Sequence, residues 1–298
     1  MATAIATDPA ATGRRPSGPR SRTRPKSDSS IYVTIFVALV AVGLTMGPII
    51  YLALGGFRSN GQIAADPNGL PDPWVWQNYW NILSQSNFWR FTLNSLIVAG
   101  ATTAGVVLFG TMAAYPLARY HFRGREGIFV VFTAGLMFPL TVAIFPLFLM
   151  LQNLGLIGGY WGLIIPQVAF ALPVTVIIMR PFLAALPDEL EEAAFMDGLT
   201  RVGFFFRMVL PLAKPGMVTV GVLAFLGSWN GYLLPLVILT GRDAPTTLPL
   251  GVTQFQGQNA ADFAGIMAYT FLAMIPALVF FLMMERRIVD GLSGAVKG

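Results

Sequence analysis

Polar and charged residues divide the chain into five long runs that carry no charge: 31–57, 91–118, 127–179, 216–240 and 263–284. A helix crossing the hydrocarbon core of a bilayer needs about 20 apolar residues, so four of these runs supply one helix each. The run 127–179 covers 53 positions, too many for one helix. Its polar, glycine-rich interior, Gln152-Asn153-Leu154-Gly155 through Gly158-Gly159, splits it in two. The pattern predicts an all-α, polytopic membrane protein with six transmembrane helices within residues 31–284. Run 31–57 is too long and too far from the start to be a cleaved leader and is read as the first span.

The segments between the runs have distinct characters. Residues 1–30 combine six Arg and Lys with Pro, Ser and Thr and predict a disordered basic tail. Residues 58–88, with Pro71, Pro73, Trp74, Trp76 and Trp80, read as an external loop with interfacial aromatics. Residues 241–262 form a second outer loop, 180–214 a long charged segment and 285–298 a short tail. Pro48, Pro139, Pro146, Pro166, Pro173, Pro235 and Pro276 interrupt the runs, as kinks or as hinges of a moving pathway.

Composition agrees with lipid as the solvent. Apolar residues make up 55% and charged residues 11%, with a mean hydropathy of +0.66, against about 45–50% and about 25% in soluble chains. The net charge of +5 does not indicate nucleic acid, because the basic residues lie between the apolar runs. Sixteen of the 19 Arg and Lys fall in the tail, residues 119–125, residues 180–214 and the C-terminus; Arg58, Arg90 and Arg242 fall on the other side. That asymmetry places both termini in the cytoplasm.

The same distribution limits the chemistry. No ionisable residue lies deep within a run, which argues against a proton relay, although sodium held by backbone carbonyls stays open. No catalytic cluster and no metal-ligand set is present: there is no cysteine, and the single histidine, His121, sits in a loop. No GxxxxGK[ST] occurs; of Lys26, Lys214 and Lys297 only Lys26 precedes a serine, and no glycine precedes it. The chain is expected not to be an enzyme, and energy for transport has to arrive from another protein.

Residues 187–198 predict a short helix, with Pro187, Asp188 and Glu189 at its start and Gly198 just past its end. Thr200 caps a second, carrying Arg201, Val202, Phe204, Phe205, Phe206 and Arg207 and stopped by Pro211. One reading is a solvated acidic helix followed by an interfacial one. The other gives the small Ala193-Ala194 pair to a partner's cleft, with the bend at Gly198 joining both helices into one lever.

Glu192-Ala193-Ala194, three residues, Gly198, nine residues, then Met208-Val209-Leu210-Pro211 resembles the EAA loop of ABC importer permeases, with Met208 in place of the usual isoleucine. The resemblance covers residues 31–298. Met112 to Arg119, with Tyr115-Pro116-Leu117-Ala118 inside it, and Ser228-Trp229-Asn230-Gly231-Tyr232 are similar to the carbohydrate-uptake subfamily. The ending Gly291 to Gly298 is similar to that of the maltose-type second permease.

The resemblance implies a type I ABC importer permease of the bacterial inner membrane, forming half of a heterodimeric pore for sugar import. Its implied partners are a second homologous permease, an ATPase dimer and an extracytoplasmic sugar-binding protein, with ATP and Mg held by the ATPase and no cofactor on this chain. It assigns ATPase coupling to Glu191, Glu192, Ala193, Ala194, Asp197, Gly198, Leu210 and Pro211. It assigns a tail contact to Gly294, Ala295, Val296, Lys297 and Gly298, positions that also suit a frayed end. Asn94, Gln167, Trp229, Asn230 and Tyr232 are candidate substrate-path residues, since sugar sites pair aromatic faces with amides and hydroxyls; helix–helix hydrogen bonding uses the same residue types. A secondary carrier, a membrane enzyme, or a pore whose other half alone holds the cargo remain alternatives at this stage.

Overall fold

In the computed structural model, residues 28–241, 243–256 and 261–296 are described, and their secondary structure is helical apart from one isolated bridge between Gln256 and Ala261. The expected disordered tail lies outside them up to residue 27. Helix α1 (Asp28–Gly55) starts three residues before the first apolar run, where Asp28, Ser29 and Ser30 suit a helix start. The chain divides into two compact units at Pro48. In the first, the apolar side chains from Ile31 to Met46 are exposed, as a helix surrounded by lipid requires.

The second unit contains the remaining elements. The expected external loop holds two short helices, α2 (Asn60–Ala65) and α3 (Gln77–Ser84). Its anchor is Arg58, a buried side chain that donates to the carbonyls of Pro67 (3.1 Å), Gln62 (2.7 Å) and Asp66. Tyr79 on α3 closes the loop onto the end of α1 by donating to the Ala53 carbonyl at 2.7 Å. Arg58 therefore folds the loop, a role beyond the topological one its position suggests.

Helix α4 (Ser86–Arg119) is the second apolar run extended by five residues at its start and one at its end. The third expected span is broken. Helices α5 (Arg125–Gly135) and α6 (Leu140–Asn153) meet at 98°. Phe138 precedes Pro139, and a residue before proline is driven out of the helical region, so the chain turns there. The glycine-rich split is where it was expected, and α7 (Tyr160–Ala184) follows it.

The charged segment forms α8 (Asp188–Met196), α9 (Arg201–Phe204), a π-helical stretch Phe205–Val209, and α10 (Leu210–Leu212). Pro211 was expected to stop the second short helix, yet the helix continues to Leu212. A proline cannot supply the normal backbone donor, and the wider π turn before it accommodates that loss without ending the helix. The direction changes by 76° at Ala213, entering α11 (Lys214–Trp229).

The fifth expected helix, 216–240, is also divided. It ends at Trp229, passes Asn230-Gly231-Tyr232 and resumes as α12 (Leu233–Ile238), because Pro235 has no N–H to return to the preceding turn. A 3-10 segment Pro249–Phe255 precedes α13 (Phe263–Val296). This last helix does not stop at 284 but runs on, with no proline beyond Pro276 to end it. Among the described residues, four helices are each long and apolar enough to span a membrane, and there are up to six spans if each bent pair counts as one. Within the second unit α4 packs along α7, and α11 packs on α4 and α13.

Candidate functional site

The charged segment is built around a sharp, fully hydrogen-bonded turn. Asp188, Glu189 and Glu191 occupy the first turn of α8, where the positive end of the helix dipole favours carboxylates. At the other end Gly198 has φ +81°. Its N–H bonds the Phe195 carbonyl at 3.0 Å, and the Leu199 N–H bonds the Ala194 carbonyl at 2.9 Å. This is a Schellman closure, which satisfies carbonyls the helix would leave open and needs a left-handed residue. One residue later Thr200 caps α9, its hydroxyl accepting from the Gly203 N–H at 3.1 Å.

Side-chain direction along α8 follows from 3.6 residues per turn. Ala194 is buried in a cluster with Phe204, Phe205 and Val209, and Leu190, four residues earlier, lies on the same face. Glu192, Ala193 and Met196 turn outward, and Met196 is 87% exposed. The expected pair is therefore split: Ala193 faces outward, and Ala194 belongs to the chain's own core. Exposed Phe195, Met196, Val202 and Phe206 make the outward surface apolar, beside the carboxylates of Glu192 and Asp197. A patch of this kind on a polar segment marks a contact surface. Leu210 is half-buried and Pro211 exposed at the far end of the segment.

Glu191 points the other way. It accepts from Arg119 at 3.2 Å and from the Tyr120 hydroxyl at 3.1 Å. Arg119, the last residue of α4, also reaches Asp188 at 2.8 Å and the Leu186 carbonyl at 2.5 Å. Burial above all, opposed by the hydrogen bond with Tyr115 and reinforced by the nearby Glu191 carboxylate, holds the Tyr120 hydroxyl above the ordinary phenol range. Tyr120 therefore stays a donor to Glu191. A second arginine, Arg180 of α7, donates to the Leu117 carbonyl (3.1 Å), pairs with Glu126 of α5 (2.5 Å) and lies over the Phe129 ring. Sequence reasoning treated both arginines as topology signals. For Arg119 the available clue was its placement in the last turn of an apolar helix, a position that faces open carbonyls.

Farther along the bundle, α4, α7, α11 and α12 enclose an open groove of about 390 Å³. Its walls are apolar, with Val106, Pro166, Phe170, Val174, Leu223 and Leu233 among them. A polar island interrupts them: Gln167 accepts from Thr102 (3.1 Å) and Ser228 (2.6 Å). Tyr232, 37% exposed, also lines it.

The five candidate path residues thus separate. Gln167 and Tyr232 line the groove, and Asn230 is exposed beside a smaller cavity of about 220 Å³ bounded by Thr270. Asn94 and Trp229 have internal partners, and Trp229 also forms part of the wall of that smaller cavity. Asn94 is buried, donates to the Thr246 carbonyl (2.8 Å) and accepts from the Tyr160 hydroxyl (2.7 Å). Trp229 is 1% exposed, donates to the Ala273 carbonyl and stacks on Phe225. Thr102 and Ser228 were not anticipated as part of the groove. Gly294, Ala295 and Val296 fall in the last turns of α13, while Lys297 and Gly298 lie outside the described residues.

The charged segment is thus a turn-closed acidic helix between membrane helices, with an apolar outward surface, and a groove lies deeper in the bundle. Residues 106–289 match the family described as the binding-protein-dependent transport system inner membrane component. The chain belongs to that family and is a multi-pass membrane protein. It is similar to the diacetylchitobiose uptake system permease protein NgcG of Streptomyces coelicolor, 38% identical over 83% of this chain and 82% of that one. It is also similar to the trehalose transport system permease protein SugB of Mycobacterium tuberculosis, 34% identical over 87% of this chain and 95% of the relative. Its fold matches a chain of a bacterial ABC transporter that imports the polysaccharide alginate. That match has a TM-score of 0.72, 22% identity, and coverage of 88% of this chain and 98% of the other.

Proposed function

We propose that this chain is one of two membrane halves of a bacterial sugar importer and receives its driving force from a separate ATPase. The observation that carries the reading is α8. The EAA spacing coincides with a helix closed at Gly198 that presents Glu192, Ala193 and Met196 outward while Ala194 anchors it. Asp197 and Gly198 bound the docking surface, Glu191 and Leu210 support it from within, and Pro211 marks where the segment turns back. ATP and Mg are held by the ATPase dimer, which contacts α8 on the cytoplasmic side, the side that also carries both termini. The last residues, Gly294 to Gly298, are assigned to a contact with the same partner. A second homologous permease closes the open side of the groove, and an extracytoplasmic sugar-binding protein delivers cargo to the side bearing the loop 58–88. The names of the relatives, which concern diacetylchitobiose and trehalose, support a di- or oligosaccharide cargo.

The cargo path runs along the groove, where Gln167 and Tyr232 offer an amide and a ring, and Asn230 offers a second amide beside the smaller cavity. Asn94 and Trp229 support it from behind. The test is co-purification of the chain with candidate ATPase subunits from detergent-solubilised membranes. Wild type is expected to retain an ATPase and Glu192→Ala to lose most of it; a well-folded wild type that retains none refutes the reading.

Gln167→Leu separates path from scaffold. It removes the amide at the centre of the polar island without changing the outward face of α8. ATPase association is expected to stay normal while sugar uptake falls roughly tenfold, the size of one lost hydrogen-bonding group in a binding site. Unchanged uptake removes Gln167 from the path.

A further inference from the structure

Helix α8 has nine residues and a single fully buried one, Ala194. A short helix held at one point pivots about it, and a docking surface that pivots transmits no displacement. The second point of attachment is Arg119. Its guanidinium serves three acceptors, the Leu186 carbonyl, Asp188 and Glu191, on the loop before α8 and in its first turn. The two anchors lie three to six residues apart along α8, roughly 5–9 Å at helical rise, so together they fix its direction.

The attachment is built rather than incidental. The Arg119 side chain is only 5% exposed and that of Glu191 14%, so solvent and salt screen the pair little. A planar guanidinium with several donors holds orientation as well as distance. Tyr120 adds a bond to the other oxygen of Glu191 and is itself bonded to the Tyr115 hydroxyl at 2.9 Å. The same aromatic pair reaches the second arm of the segment: Arg201 lies over the Tyr120 ring at 5.0 Å, and Phe205 packs on Tyr115 at 5.1 Å. All of these contacts converge on the last turns of α4, the helix that carries Thr102 and Val106 into the groove.

We propose that Arg119, with Glu191 and Tyr120, is the transmission clasp of the importer: it makes the α8 docking surface and α4 move as one body, so displacement by the ATPase reaches the groove. Arg119 is a positioning residue, on the face of α8 opposite to Glu192, Ala193 and Met196. The inference rests on the reading of α8 as the ATPase contact, and its test keeps the two apart.

The chain has no cysteine, so Leu223→Cys, in the groove wall, gives this chain a single reporter of groove access, read on its own band after the subunits are separated. In the assembled transporter with both permeases and the ATPase, labelling by a water-soluble maleimide is measured with and without ATP. With Arg119 intact, ATP is expected to change the labelling rate at least roughly fivefold, the lower end of typical coupling between sites. Arg119→Ala is expected to keep the ATPase bound and lose the ATP-dependent change. Arg119→Lys restores part of it, and Tyr120→Phe, which removes one hydroxyl only, reduces it. An ATP response that persists in Arg119→Ala overturns the clasp. So does loss of the ATPase from Arg119→Ala, which reduces the role to shaping the docking surface. If Arg119→Ala does not reach the membrane, an unaltered response in both Arg119→Lys and Tyr120→Phe overturns it. A wild type that binds no ATPase refutes the reading of α8 and the clasp with it, whereas normal binding with unaffected variants refutes the clasp alone.

Discussion

Gly198→Val is expected to abolish ATPase association, with the chain still present in the membrane at near wild-type level. Gly198 has φ +81°, and a Cβ built on it meets nothing within 4 Å. The penalty of a side chain is therefore conformational and not steric. A left-handed residue with a Cβ costs about 1–2 kcal/mol, and β-branching makes it worse. Helix α8 has little to set against that cost, because a helix of nine residues is marginal by itself. Relaxing the strain requires giving up the Gly198 and Leu199 closure bonds, which releases the last turn of α8 and redirects Thr200 and α9. A substitution series identifies the cause. Asparagine tolerates the left-handed region and is expected to bind the ATPase nearly as well as glycine. Alanine should be intermediate, aspartate weaker because it adds charge beside Asp197, and valine weakest. Equal binding by asparagine and valine variants, measured by co-purification, removes backbone conformation as the explanation.

The apolar runs made the number of membrane crossings legible, and the glycine-rich split before α7 lies where the polar residues placed it. The breaks inside runs were less visible because charge does not mark them. The Phe138-Pro139 step turns a span by 98° within an uncharged stretch, and the only sign is the restriction that proline imposes on its neighbour. Pro211 misled in the opposite direction, since a π turn carries the helix past it. The orientation of the Glu-Ala-Ala triplet was within reach: Leu190 and Ala194, four residues apart, define an inward face that leaves Ala193 outside. Asn94 and Trp229 were not, because their hydrogen-bond partners stand 152 and 44 residues away. An amide or an indole in an apolar run looks the same in sequence whether it faces a path or a neighbouring helix. The clasp was hidden for the same reason, as Arg119 meets Glu191 across 72 residues.

Gly110→Leu is expected to be the most damaging single change within the bundle. Thr102, Val106, Gly110 and Ala114 recur every four residues on α4, all buried, as a stripe along the side that meets α7. In lipid there is little hydrophobic drive between helices, so close approach at small residues supplies the packing. A Cβ at residue 110 would lie 2.2 Å from Cγ2 of Thr175 and 2.9 Å from its Cβ. Thr175 has no room to yield: it is 1% exposed, β-branched, and bonded to the Ala171 carbonyl at 2.8 Å. The helices must separate instead, and the Thr102–Gln167 bond on the same seam is pulled open with them. Overpacking a tight interior costs about 1–3 kcal/mol for a few added methylenes, and leucine adds a whole side chain. Gly100→Leu is the matched control. It lies on the same helix, is exposed, and its Cβ meets nothing within 4 Å, so its effect should stay within about 0.5 kcal/mol. Thermal unfolding in detergent is expected to place Gly110→Leu far below wild type and Gly100→Leu beside it. Equal losses in the two variants would mean that adding bulk to α4 is harmful anywhere along it, and that the α4–α7 seam has no special claim on the bundle's stability.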